Sequence, residues 1–437
     1  MFKEIRDNKV LYIGWVAMIL LILVGVATSR LLILSAFLLF GLLCVFGDVK
    51  HSFALLFGLL PFAHVFKLAP NTTSLFTICE IMVVLLAVIK ANKISKKMGL
   101  CLLIFTLFMI LADIKDVDAL SVVKTIVGIY FIYLCVINLK SRDVVGIAYL
   151  LSGSTIATLL LSMVPTYYEY VIPYLSDLDY FQGEFGNVVM RMGGFLGDPN
   201  YCSALIIIIV NLLGVLYYHK MIKNEFWVFI SCLIPLGFFT YSKSYFLCIV
   251  AFAVLNILFV LLPKHTGWAI IALVVVGVLV MLTLEGRFEV INVIFGRFSS
   301  SDITTGRSNL NEFYLKYIWE NPSVLFFGEG INADRIYSAG NNVHNIYIEG
   351  LFKLGVVGFA IYLSSLWICV NAGKRRKMKK RIVNAFPLLF LVLLYSALAG
   401  ITMYELPLYL SIAFLSLNID VTDDNTIEKH IRRLDSK

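Results

Sequence analysis

Long apolar runs without charge recur along almost the whole chain, and this restricts the fold more than any other feature. Of the 437 residues, 60% are hydrophobic and 15% charged, and the mean hydropathy is +0.89. A water-soluble domain has too little interior to hide so much apolar surface. In a bilayer every backbone N–H and C=O must be paired within the protein, which leaves helices or a closed barrel. The runs are continuous, not alternating, and each is roughly as long as a helical span requires. The chain therefore reads as an all-α, polytopic integral membrane protein with about 12–14 transmembrane helices. Candidate spans fall near 10–27, 31–46, 53–69, 74–90, 99–114, 119–138, 144–164, 199–218, 226–241, 244–262, 267–284, 346–370, 382–400 and 404–419. They read as a single domain, 1–437.

Charge sets the orientation. Lys90, Lys93, Lys96 and Lys97 share one connection, Lys140 and Arg142 another, Lys220 and Lys223 a third, and Lys374–Arg381 is the densest cluster. Threading the candidate spans puts all of these clusters on the side of the N-terminus, so both termini are expected in the cytoplasm. The net charge of +8 is then a topology signal, not a nucleic-acid surface. The first apolar run lacks a small-x-small cleavage site and reads as an uncleaved span. Eight cysteines lie in or beside apolar runs without metal-ligand spacing. Residues 420–437 form a mixed-charge cytoplasmic tail. Two external segments exceed simple turns: 165–199, and 285–345 with helical patterns at Arg287–Phe298 and Asn309–Trp319.

Three basic residues fall on the external side, against the general pattern: Arg191, Lys243 and Arg307, together with His344. Arg191 precedes Met-Gly-Gly-Phe-Leu-Gly-Asp198-Pro199-Asn200, where Asp198 is a good N-cap and Pro199 suits the first helical position. The two glycines would let backbone approach a ligand, whereas a headgroup anchor is the structural alternative for Arg191. Lys243 either meets an anion or snorkels to the interface. Arg307 follows Thr304-Thr305-Gly306 at the start of a helix, where backbone donors and the dipole favour anions and guanidinium binds phosphate oxygens bidentately. His344 stands in Asn341-Asn342-Val343-His344-Asn345, either as a polar cap or as a proton acceptor kept neutral by nearby cations. Asp177 and Asp179 match a metal-binding DxD only by a spacing common by chance, and no metal or other cofactor is expected. Glu80 lies within a span without an obvious partner.

These stretches resemble the O-antigen polymerase and ligase family of bacterial envelope assembly. The likeness rests on Thr305-Gly306-Arg307 followed by Asn321-Pro322; on Gly328-Glu329-Gly330, His344-Asn345-Ile346-Tyr347 and Gly355-Val356-Val357-Gly358; and on Ser242-Lys243-Ser244, where the family has Arg. The resemblance implies a metal-independent membrane glycosyltransferase of the type C (GT-C) class. Its donor would be an undecaprenyl-diphosphate-linked oligosaccharide and its acceptor a growing polysaccharide such as O-antigen or capsule. By the same analogy His344 is the general base and Arg307, Lys243 and Arg191 hold the diphosphate, with Asn345, Asn200 and Asp198 in support. The implied setting is the inner (plasma) membrane with the site facing the exterior, and the implied partners include a chain-length regulator and a flippase.

A polymerase is favoured over a ligase because the chain is rich in spans and modest in external segments. The alternative from another class, a polysaccharide flippase or other transporter, predicts ionisable residues along the bundle interior or inverted repeats, and no repeat is visible. The orientation is directly testable. A cysteine placed at Ser301 should react with a membrane-impermeant reagent in intact cells, and labelling only after lysis would reverse the topology.

Overall fold

The computed structural model describes residues 9–91, 95–112, 119–175, 180–182, 188–261, 307–331, 333, 343–372, 382–400 and 405–419. Seven helices lead the chain: α1 (Lys9–Ala27), α2 (Arg30–Phe46), α3 (Val49–Leu59), α4 (Leu75–Ala91), α5 (Lys96–Ala112), α6 (Ala119–Asn138) and α7 (Ser141–Ser162). The short α8 (Pro165–Val171) follows, then a hairpin of β1 (Tyr180–Gln182) and β2 (Val188–Met190). Next come α9 (Pro199–Tyr218), α10 (Asn224–Phe238) and α11 (Lys243–Asn256). The last set is α12 (Arg307–Glu320), α13 (Pro322–Phe327), α14 (Ile346–Ala372), α15 (Phe386–Leu394) and α16 (Glu405–Leu417).

The protein is a helical membrane protein, and the antiparallel hairpin, with Phe181 opposite Val189, is a small addition to the expected all-α architecture. Among the described residues five helices are long and apolar enough to cross a membrane: Lys9–Ala27, Ser121–Asn138, Ser141–Ser162, Pro199–Tyr218 and Ile346–Ala372. Two other expected spans are shorter as α-helix because they change winding part-way. Pro61 removes a donor at the end of α3, which tightens into a 3-10 turn over Leu60–Phe62. α11 continues as a π-helix over Ile257–Leu261. The expected span 267–284, the Arg287–Phe298 helix, Asp177 and Asp179, the 374–381 cluster and the 420–437 tail lie outside the described residues.

α9 is the central post. From Cys202 to Leu216 every residue is buried, the pattern of a helix enclosed on all sides. α1, α2 and α5 instead present Val10, Ile13, Leu20, Leu38, Leu42, Leu103 and Leu107 outward, as lipid-facing helices do. Polar bonds fasten some of these helices together. The Trp15 indole donates to Ser154 Oγ at 3.1 Å, and Ser154 in turn donates to the Gly58 carbonyl, joining α1, α7 and α3.

Two contacts join the ends of helices to one another. Lys90 Nζ, at the end of α4, donates to the carbonyls of Cys44, Val45 and Gly47 at 3.1, 3.0 and 2.8 Å, capping the end of α2. His219, after α9, pairs with Asn384 Oδ1 at 2.7 Å, and the Asn384 amide donates to the Ile419 carbonyl beyond α16.

The decisive irregularity is in α14. Gly355 has φ +62° and ψ −179°, which breaks the helix into Ile346–Leu354 and a longer continuation. A break in the ladder orphans backbone groups. Here the carbonyls of Phe352 and Lys353 accept instead from the N–H groups of Glu329 (2.8 Å) and Gly330 (3.2 Å). The α13 terminus presses so close that a Cβ on Gly355 would lie 2.5 Å from backbone atoms of Phe326 and Phe327. Gly355→Ala should therefore destabilise the protein. Backbone strain alone costs roughly 1–3 kcal/mol, and the contact adds to it. Thermal scanning in detergent should show a fall of about 3 °C or more; an unchanged melt would mean that the kink tolerates a side chain.

Candidate functional site

The Arg191 region and the turn before Lys243 meet at the start of α9. Asp198 caps α9 by accepting the Asn200 N–H at 2.6 Å, with Pro199 in the first turn, as the sequence suggests. Arg191 is buried, so it is no headgroup anchor. Its Nε donates to the Thr240 carbonyl at 3.2 Å and an Nη to Asn200 Oδ1 at 3.3 Å. The neighbouring Met192 N–H bonds the Phe239 carbonyl at 3.1 Å. Thr240 is also tied to α9, since Ser203 Oγ donates to its hydroxyl at 2.9 Å.

Lys243 is the first residue of α11, half-buried, one position past the Ser242 N-cap that accepts the Tyr245 N–H. The turn that delivers it is tight: Tyr241 has φ +48°, an uncommon value for a residue other than glycine. Strain of that kind clusters at functional sites because the surroundings must hold it. Arg191, Asn200, Asp198 and the Lys243 backbone thus belong to one constellation. A Cβ on Gly193 would lie 2.0 Å from the Gly197 carbonyl oxygen, so this residue lets the loop close on itself.

The second constellation surrounds the upper half of α14. Asn345 caps it: its Oδ1 accepts the N–H groups of Tyr347 (3.0 Å) and Ile348 (3.3 Å), and its carbonyl accepts that of Glu349 (2.8 Å). Capping thus falls to Asn345. His344 stands half-buried immediately before it, after the buried Val343. Arg307, half-buried, opens α12. That helix seats Tyr314 and Ile318 in a small core with Val324, Val343, Ile348 and Phe352, and Tyr314 meets Phe352 edge-on at 5.1 Å. Tyr317 donates its hydroxyl to Glu329, and this bond, more than burial, pushes the phenol pKa up to about 12. The helix that begins at Arg307 and the one preceded by His344 are packed against each other. Thr304, Thr305 and Gly306 lie outside the described residues.

The two constellations share one end of the bundle. Tyr201 is the third residue of α9, and Glu349 is the fourth of α14. The Tyr409 hydroxyl donates to the Tyr201 carbonyl at 3.1 Å. The Tyr347 hydroxyl donates to the Val392 carbonyl at 2.7 Å, and Gly400 N–H donates to Glu349 Oε2 at 2.5 Å. Val392 and Gly400 thus reach α14 while α16 reaches α9.

Several buried polar groups escaped the sequence reading. Glu349 and Lys353 form an ion pair at 3.1 Å, and His64 pairs with Glu405 at 2.9 Å. Glu405 and Lys124 are the charged neighbours of Glu80. The i, i+4 spacing of Glu349 and Lys353 within an apolar span was the available signal. The His64–Glu405 pair, far apart in sequence, left none. Among the described residues no cluster of three His, Cys, Asp or Glu side chains is placed to hold a metal ion. Replacing Arg191 by Ala should leave the buried Thr240 carbonyl and the part-buried Asn200 amide oxygen without this donor, at roughly 1–3 kcal/mol for a buried acceptor. The melting temperature should fall clearly, with Arg191→Lys recovering part of the loss; an unchanged melt for Arg191→Ala would mean these bonds hold nothing together.

No curated protein and no solved structure matches the chain. Residues 228–363 match the family model described as O-antigen ligase. The match begins within α10 and ends within α14. It takes in Lys243, Arg307, the Gly328–Gly330 turn, His344, Asn345 and Gly355, and leaves Arg191, Asp198 and Asn200 outside. Over that stretch this helical membrane protein is thus similar to the O-antigen ligase family.

Proposed function

We propose that the chain is a glycosyltransferase that polymerises undecaprenyl-diphosphate-linked oligosaccharide repeat units into a surface polysaccharide. The observation that carries this reading is that the starts of α9 and α14 are both tied to the α15–α16 region, through Tyr409 on one side and through Val392 and Gly400 on the other. α9 brings Arg191 and the Lys243 turn, and α14 brings His344 with the Arg307 helix packed on it. Helix N-termini and cations together favour a dianionic leaving group.

In this reading His344 takes the proton from an acceptor sugar hydroxyl. The hydroxyl oxygen bonds to the anomeric carbon of the donor with inversion, and the bond from that carbon to the diphosphate oxygen breaks. The electron pair leaves on the lipid diphosphate, where Arg307 and Lys243 meet the developing charge. Lys243 acts there as a point charge, since ammonium lacks the planar fork of the family's arginine. Arg191 already spends two donors on Thr240 and Asn200, so its part is to brace the turn that presents Lys243 as well as to add positive potential. The site faces the exterior of the inner membrane, with both termini in the cytoplasm.

Polymerisation is preferred to transfer of a finished glycan because the chain devotes itself to spans. Deletion of the gene followed by sizing of the surface glycan separates the two. Single repeat units mean a polymerase, and unattached long chains mean a ligase. Purified protein in detergent separates enzyme from flippase, because only an enzyme lengthens lipid-linked repeat units without a membrane compartment. A positioned base contributes about 10²–10⁴-fold in rate, so His344→Ala should lose at least about 10²-fold with protein level intact. Near-normal chain length in that variant would remove the base. Arg307→Ala should be more damaging than Arg307→Lys; equal, mild effects would mean that Arg307 only covers the surface.

A further inference from the structure

The part of α14 that follows His344 is only nine residues long, Ile346–Leu354, before the Gly355 break. A helix this short is marginal without outside support. The Asn345 cap holds its start, and the Glu329 and Gly330 amides hold its end. The remaining tie is unusual. Glu349 and Lys353 lie on adjacent turns of this same half-helix, and both are buried. A pair at that spacing forms within the helix and normally faces water, where it contributes little. Here it has been taken into the bundle, at a cost in desolvation.

The second carboxylate oxygen explains why. Glu349 Oε1 sits 3.1 Å from Lys353 Nζ, which balances its charge, while Oε2 reaches out of the helix to accept the Gly400 N–H at 2.5 Å. A backbone donor on a carboxylate is a strong, directional bond. It pins the half-helix to the 398–400 turn, which the Val392 carbonyl and the Tyr347 hydroxyl secure a short way upstream. We propose that Glu349 is a positioning residue for His344, with Lys353 as the counter-ion that lets its carboxylate stay buried. This inference rests on the reading of His344 as the base. His344 lies five residues before Glu349, about 8 Å at the helical rise. Rocking of the half-helix is therefore transmitted to the imidazole, and a misplacement of about 1 Å can cost about 10²-fold in rate.

The test uses full-length protein in detergent and lipid-linked repeat units extracted from cells in which the gene is deleted. Glu349→Leu/Lys353→Met removes both charges and the Gly400 acceptor. Glu349→Gln/Lys353→Met is equally neutral but keeps a carbonyl oxygen for Gly400. The first should lower kcat about tenfold or more with KM within about twofold, and with the pH of half-maximal rate unchanged. The second should recover kcat to within about threefold. Wild-type turnover in the first variant, or no recovery in the second, would overturn the proposal. Amide exchange in the unmutated protein supplies a check that needs no variant to fold: Gly400 should exchange slowly, and rapid exchange would also overturn it. His344→Ala is assayed alongside. If it is inactive while Glu349→Leu/Lys353→Met turns over normally, only the positioning role fails. If His344→Ala itself turns over normally, the base and its positioning fall together.

Discussion

The break at Gly355 leaves carbonyls of the buried Phe352 and Lys353 that the helix can no longer satisfy. Everything around the upper half of α14 answers that demand. The Gly328–Gly330 turn lends its N–H groups to Phe352 and Lys353, which brings α12 and α13 onto α14. Tyr314 and Ile318 then close a small core against Phe352, and the helix that begins at Arg307 acquires a fixed place beside His344. A single left-handed residue thus sets the arrangement of α12 and α13, because an unpaired peptide group in an apolar medium costs several kcal/mol, on the order of a whole tertiary contact.

The same economy governs the charged groups. Arg191 is buried, and its guanidinium bonds the Thr240 carbonyl and Asn200. Glu349 is buried because Lys353 and Gly400 satisfy both its oxygens, and Glu405 because His64 meets one of its own. The interior is not free of ionisable groups, as a purely surface-bound site would have it. The closest of them are paired with one another, in short contacts that hold elements in register.

Much of this was legible beforehand. The apolar runs of α1 through α7 and of α9 stand where continuous hydropathy places them, since burial in lipid needs only composition and length. The cap at Asp198 and Pro199 was readable because capping is local, a side chain reaching the N–H two residues on. The helix from Arg307 to Glu320 followed from its period, although Pro322, expected only to end it, also begins α13. The hairpin at β1 and β2 was not anticipated, as strands of three residues carry too little pattern. That Gly193 lets its own loop close was not legible, because a sequence does not say which atoms stand opposite a missing Cβ.

By itself the sequence determined that this chain must be a helical membrane protein and which short motifs begin its helices. Those properties depend on neighbours within one or two turns. Only the tertiary structure decided that Arg191 would turn inward to Thr240, that His64 would find Glu405, and that Glu349 would bridge α14 to Gly400. Such contacts join residues tens to hundreds of positions apart, and they are chosen by packing and by the need to pair every buried polar group.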